Sequence, residues 1–356
     1  MRAVSTVAPE PQVLARQRPD SRDVVRRARV RPARRYALML AALVAVLCTV
    51  FVCRVTLGDF VITVPDTFRI LTGTDIPGAS FILMESKLPR AVLGILVGIA
   101  FGVGGAIFQS TLRNPLASPD IIGVSTGASA AAVFSIVVLG QRGPGVAVAA
   151  VLGAVLTAAL VRSQAGPGAS TRLVLVGVGV SAALFSVVSY LFVRADQWDV
   201  QIVLQWLTGS LNRGDWPTIR LLTVLLLVLA PAIVWLGRSA RAAELGEDTA
   251  AGLGTTSRHI ELLLLLAVLL VALGVAASGP IAFVSFLAGP IARALNGGRT
   301  TLVGAALVGA VIVVGGDYLA AYAVPDVNYP VGVVTGAFGA PFLLWLLATG
   351  RTSRRS

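Results

Sequence analysis

The sequence predicts an all-α, polytopic membrane protein of about ten transmembrane helices. Composition is the first ground. Hydrophobic residues make up 56% of the 356, charged residues only 13%, and the mean hydropathy is +0.85. Ordinary soluble domains carry roughly 25% charged residues. Length is the second ground, because apolar runs recur along the chain and most match the about 20 residues that cross a bilayer. The third is packing chemistry. Small residues recur at four-residue spacing, as in Gly94, Gly98 and Gly102, Gly123 and Gly127, and Gly332 and Gly336. Helices in lipid associate through close backbone contact, which this spacing permits.

Residues 1–35 come first and hold ten Arg against Glu10, Asp20 and Asp23, or +7 of the total +12. They read as an Arg-rich, disordered cytosolic tail under the positive-inside rule rather than an arm for nucleic acid. The run at 36–56 reads as a retained first membrane helix. Ala45-Val46-Leu47 before Cys48 lacks the small residue a lipidation site wants, and no small-x-small cleavage site follows. Cys48 and Cys53 read as free thiols.

Further spans are expected at 88–112, 120–139, 144–162, 173–193, 218–237, 260–278, 281–295, 301–321 and 329–349. The 281–295 run is the weakest, being short and broken by Gly289-Pro290. The membrane domain thus covers 36–349, and 350–356 is a short cytosolic tail. An even number of spans returns the C-terminus to the side of the N-terminus, as Arg351, Arg354 and Arg355 suggest.

The turn Arg113-Asn114-Pro115-Leu116-Ala117-Ser118-Pro119-Asp120 separates the second and third spans. Asn-Pro stops one helix, and Ser118-Pro119-Asp120 starts the next with a hydroxyl, a proline and a first-turn carboxylate. Expected cytosolic loops carry Arg113, Arg162, Arg172, Arg238, Arg241, Arg258, Arg293 and Arg299. Expected outer loops are mixed or acidic, with Asp59, Asp66 and Asp75, then Asp196, Asp199 and Asp215, then Asp326. The exception is Lys87, the only lysine, together with Arg90 on the outer side.

Several chemistries are missing. No Gly-x-x-x-x-Gly-Lys-Ser/Thr phosphate loop is present, so the chain has no such site for ATP. His259 is the only histidine, which leaves no histidine metal site and no Ser-His-Asp catalysis. No catalytic residue and no cofactor are expected. Acids within the spans are few, with Asp317 near an outer end and Glu85 and Glu261 at edges. That scarcity argues against an ion-coupled secondary transporter, the rival class.

Loop 238–259 stands out. Ala242, Leu245, Thr249 and Leu253 share one face of a short helix, with Glu247 and Asp248 near its start and glycine at its end. Such a helix is either a surface anchor or a plug for a partner's groove.

Motifs in order along Glu85 to Leu347 carry a family resemblance. They are Leu88-Pro89-Arg90, Arg113-Asn114-Pro115-Leu116-Ala117, Gly123-Val124-Ser125-Thr126-Gly127-Ala128 and Trp206-Leu207-Thr208-Gly209-Ser210-Leu211. Leu245-Gly246-Glu247-Asp248-Thr249-Ala250, Gly279-Pro280-Ile281-Ala282-Phe283-Val284 and Pro330-Val331-Gly332-Val333-Val334-Thr335 follow. The chain resembles the permease subunits of ABC importers for iron–siderophores, haem and cobalamin. Gly105-Ala106-Ile107-Phe108-Gln109-Ser110 and Ser118-Pro119-Asp120 lean toward the ferric-enterobactin type.

The resemblance implies ten helices per subunit, and two like or unlike permease subunits around a central path. It also implies separate ATP-binding subunits and an extracytoplasmic substrate-binding protein. The cargo it implies is a ferric siderophore, with cobalamin or haem as the alternative. It places the chain in a bacterial plasma membrane, among lipid, with both termini cytosolic. It makes Leu245, Gly246, Glu247, Asp248, Gly252 and Leu253 part of a coupling helix that seats in the ATPase. It makes Lys87 and Arg90 a basic pair that docks the binding protein, and Ser170 and Thr171 the inner gate. Three positions depart from the family pattern. Gly289-Pro290 replaces Pro-His, Asn328 replaces a Glu, and Ala321 replaces an Arg four residues after Asp317.

Overall fold

A computed structural model describes residues 21–166, 170–324 and 327–348. The side chains of 21–31, 170, 171, 247 and 346–348 are outside that description, as are residues 1–20 of the expected first tail and all of 350–356. The chain divides into two units between Leu38 and Met39, and the second holds all the later helices.

Helix α1 (Ser21–Thr56) carries the first apolar run. Thr63 then caps α2 (Val64–Leu71), its hydroxyl accepting the Asp66 N–H at 3.2 Å. A single turn, α3 (Ala79–Phe81), passes into a π-helical stretch, Ile82–Lys87, that runs directly into α4 (Leu88–Thr111). After the Asn-Pro turn come α5 (Val124–Val137), α6 (Pro144–Ala165) and α7 (Ser170–Arg194). A short α8 (Gln197–Leu207) precedes α9 (Trp216–Ala243), which Asp215 caps by accepting the Thr218 N–H at 2.9 Å. The small α10 (Glu247–Gly252) leads to α11 (Ser257–Ser278), capped reciprocally by Thr256 and His259. The chain continues through α12 (Val284–Leu295), α13 (Leu302–Tyr322) and α14 (Val331–Ala348).

Seven described helices are long and apolar enough to cross a membrane, and three shorter apolar ones, α5, α12 and α14, bring the set to ten. These ten coincide with the ten expected runs, and the fold is all-helical among the described residues. Two spans are shorter than expected. The 120–139 run becomes helical only at Val124, and the 281–295 run only at Val284. Both helices begin inside the bundle. The Ser285 carbonyl at the start of α12 lies against Gly105 of α4, about two turns short of that helix's last residue. A chain that starts a helix at that depth needs fewer residues to reach the surface.

Helix α4 is the axis, buried along most of its length and packed against α9, α11, α12 and α13. Its glycines make the closest approach. A Cβ on Gly98 would lie 2.5 Å from Gly309 O, and one on Gly102 would lie 2.2 Å from Ala305 O. Gly127 and Gly153 bring α5 and α6 together in the same way. The four-residue spacing therefore does mark helix contacts at these positions, whereas Gly336 faces open space.

Three helix ends and the non-helical residues beside them meet, at Trp206–Ser210, Ser278–Ile281 and Pro330–Gly332. The Ser210 N–H donates to Ser278 O at 2.7 Å, and the Gly332 N–H to Gly209 O at 3.2 Å. Gly209 and Gly279 reverse the chain at φ 66 and 72. A Cβ on either would strike backbone, at 2.2 Å from Pro280 O and 2.4 Å from Trp206 O. Irregular backbone survives in a membrane bundle where protein partners satisfy it, as here.

Candidate functional site

At the Arg90 end of the bundle a charge cluster forms around Asp317 of α13. Arg90 of α4 donates Nε to both carboxylate oxygens at 2.8 and 2.9 Å, and Nη2 to Oδ1 at 2.7 Å. Arg54, from the last turn of α1, donates Nε to Oδ2 at 2.7 Å. Arg54 and Asp317 are only 3% and 1% exposed, and Arg90 13%. Two guanidinium groups thus share one buried carboxylate, and Arg54 Nη1 is buried without a hydrogen-bond partner. The Arg54 guanidinium also stands 5.9 Å from the centre of the Tyr322 ring. Ala321, where the resemblance leads one to expect an arginine, is buried beside these residues' helix end. The second cation on Asp317 comes from α1 instead.

Lys87 corrects an expectation. The resemblance pairs it with Arg90 as a docking cation, yet it is only 5% exposed. Its ammonium donates to Leu57 O at 2.8 Å and Phe60 O at 2.6 Å, with Thr56 O at 3.5 Å. Lys87 is the last residue of the π-helical stretch. Thr56 ends α1 and Leu57 and Phe60 follow it, so the ammonium sits at the C-terminal end of that helix, which favours a cation. Lys87→Met is therefore expected to lower stability by about 1.5–3 kcal/mol, the worth of a charged hydrogen-bond set. A melting measurement in detergent checks it, and an unchanged melting point would contradict this anchoring role.

At the opposite, Arg113, end lies loop 238–259. Helix α9 ends at Ala243, and Gly246 (φ 105, ψ 159) turns the chain into α10. Leu245 and Leu253 flank that small helix and are 62% and 63% exposed. The loop is tied down on two sides. Arg293, in the last turn of α12, donates to Glu244 at 3.2 Å and to Thr300 at 2.8 Å. Arg113, at φ 52, brings its guanidinium 3.7 Å from where a Gly246 Cβ would stand.

Between the ends, Gln109 of α4 donates to Phe286 O of α12 at 2.9 Å. A Cβ on Gly289 would lie 2.1 Å from the Gln109 Oε1. The departure Gly289-Pro290 therefore leaves room for this buried amide. Ser170 and Thr171 open helix α7, and their side chains lie outside the described residues. Among the described residues no group of three His, Cys, Asp or Glu side chains is placed to hold a metal.

Arg54, Glu244 and Arg293 were not picked out as site residues from the sequence. Arg54 carried a signal, being a lone cation inside an apolar run, where ionisable groups are costly and require a partner.

The chain is similar to several known proteins. The profile of the FecCD transport family matches residues 42–349. The ferric enterobactin transport system permease protein FepG of Escherichia coli is 35% identical over 82% of this chain and 89% of its own. The Fe(3+) dicitrate permease FecD of the same organism is 37% identical over 76% and 86%. The hemin transport permease HmuU of Yersinia pestis is 34% identical over 81% and 90%. A metal-chelate type ABC transporter solved in an inward-facing conformation superposes with a TM-score of 0.76 at 25% identity, covering 88% of this chain and 99% of that one.

Proposed function

Because the chain belongs to the FecCD transport family, we propose that it is the permease subunit of an ABC importer that carries a ferric siderophore into the bacterial cytosol. The observation behind this reading is the family match over residues 42–349, nearly the whole membrane unit. It is a multi-pass membrane protein, and members of its family are transport subunits rather than enzymes. ATP hydrolysis falls to a separate subunit, since this chain has no phosphate loop. Relatives named for ferric enterobactin and ferric dicitrate favour an iron chelate as cargo, and HmuU makes haem the alternative.

Cells with and without this gene should be offered labelled ferric siderophores, haem and cobalamin. Loss of ferric siderophore uptake alone, restored by the gene, is the expected result. Loss of haem or cobalamin uptake instead would overturn the cargo, and uptake that persists without any ATPase would overturn the importer class.

In this reading the Arg113 end faces the cytosol and loop 238–259 couples to the ATPase. The Arg90 end faces outward and receives the binding protein. Arg90, paired with Asp317 but the more exposed of the two cations, is assigned to docking, and Lys87 braces the end of α1. Charge pairing across a rim chiefly speeds encounter and sets orientation, and salt weakens it. Arg90→Gln should therefore reduce binding-protein affinity more at low salt than at high salt, while Lys87→Met should leave the salt dependence unchanged. Equal salt dependence in wild type and Arg90→Gln would remove Arg90 from the docking surface.

Ser170 and Thr171 are assigned to the inner gate, where small side chains at a short interhelical loop permit closure. A second permease subunit, identical or related, faces them. Cysteines at these positions in the two subunits should crosslink in a nucleotide-dependent way. Crosslinking that ignores nucleotide would leave them as ordinary helix-start residues.

A further inference from the structure

Asp120 belongs to none of the groups above, yet it joins two helices at their buried starts. One carboxylate oxygen accepts the hydroxyl of Ser125 in the first turn of α5. The other accepts the hydroxyl of Ser285 in the first turn of α12. Ser285 is wholly buried, and its own carbonyl is wedged against Gly105 of α4. Both helices leave left-handed residues, Gly123 at φ 91 and Phe283 at φ 65. For a phenylalanine that conformation costs about 1–3 kcal/mol and persists only where its surroundings over-determine it. Phe283 is held by Gly339 of α14 on one side and by an edge-on contact with Phe286 on the other.

The same two elements reach the loop at 238–259. Helix α12 is a short rod with Ser285 at one end and Arg293 at the other, and Arg293 pairs with Glu244 just before Gly246. The turn that carries Asp120 begins at Arg113, whose guanidinium stands beside Gly246. Two routes therefore leave the loop, one through α12 and one through the Arg113 turn, and they close on one carboxylate. Any displacement of the loop loads this carboxylate from both sides.

We propose that Asp120 is a positioning residue for transport, a carboxylate latch that makes the first turns of α5 and α12 move together when the coupling loop moves. This rests on the assignment of 238–259 as the coupling loop. A carboxylate can accept from both serines at once. An amide at the same place keeps the shape but offers one acceptor and one donor in place of two acceptors.

The test uses the full complex with its ATPase and binding protein, in proteoliposomes, with ferric enterobactin, ferric citrate and haem as probes. Asp120→Asn and Ser285→Ala are each expected to assemble and hydrolyse ATP as the wild type does. Their uptake per ATP should fall by about threefold to thirtyfold, the range of coupling carried by packed, hydrogen-bonded networks. The double variant should do little further harm, because both changes open the same latch. Wild-type uptake per ATP in both single variants would overturn the proposal. So would a parallel fall of complex yield, ATP hydrolysis and uptake, which is what a merely structural role produces. A wild-type complex that hydrolyses ATP but imports none of the probes would instead refute the importer reading beneath it.

Discussion

Leu253→Asp and Gly246→Leu should each reduce uptake at least about tenfold while the membrane unit stays folded, equivalent to a loss of about 1.4 kcal/mol of coupling. Leu245 and Leu253 project from the Arg113 end on either side of a six-residue helix and are more than half exposed. Neither supports the core, so changing them leaves folding alone. A leucine buried in a partner's groove contributes about 1.5–3 kcal/mol, and a carboxylate forced into the same place adds a desolvation cost. Gly246 acts differently. Its backbone, at φ 105 and ψ 159, lies in a region almost confined to glycine, so a side chain there costs roughly 1–3 kcal/mol and redirects α10. The acidic residues Glu244 and Asp248 argue against a lipid-surface anchor, whose polar face is normally rich in Lys and Arg. Co-purification of the ATPase and uptake in the same cells are the measurements. A Leu253→Asp protein that retains its ATPase and transports at the wild-type rate would end the coupling assignment.

The ten spans were legible because long apolar runs and arginine-bearing loops are properties of the chain itself. What escaped was set by partners distant in sequence. Arg54 sits near the end of the first run, and its acid, Asp317, lies 263 residues away on another helix. No local pattern couples them. Lys87 and Arg90 share a charge and a side of the bundle. Only the path of the chain after α1 reveals that Lys87 is enclosed by carbonyls while Arg90 faces a carboxylate. The short α5 and α12 were hidden for a related reason. Their apolar runs extend beyond the helices, because the non-helical starts are buried too and carry apolar residues such as Ile122 and Ile281. Helix α8, where Gln197, Asp199, Gln201 and Gln205 interrupt the apolar residues, lacked a run long enough to cross a bilayer.

Gly102→Val should cost about 3 kcal/mol or more and leave little monodisperse protein, whereas Gly336→Val should be tolerated. Both glycines belong to four-residue series that look alike in sequence, so the contrast isolates what the fold adds. A Cβ on Gly102 would lie 2.2 Å from Ala305 O and 3.0 Å from the Ala305 carbonyl carbon. These are backbone atoms of α13, and no rotamer change moves them. The two helices must part, and α4 packs against α9, α11 and α12 as well, so the displacement spreads through the core. Overpacking usually costs about 1–3 kcal/mol where side chains can adjust, and the upper end or beyond applies where they cannot. Gly94 provides the intermediate case. Its Cβ would meet only side-chain methyl groups, those of Leu211 and Val314 at 3.1 and 3.2 Å and of Val313 at 3.7 Å, so Gly94→Ala should cost less than Gly102→Ala. Gly336 has no atom within 4 Å of its Cβ position. Melting points and size-exclusion profiles of the detergent-solubilised variants decide the matter. A Gly102→Val protein as stable and monodisperse as Gly336→Val would mean that the contact between α4 and α13 does not hold the bundle together.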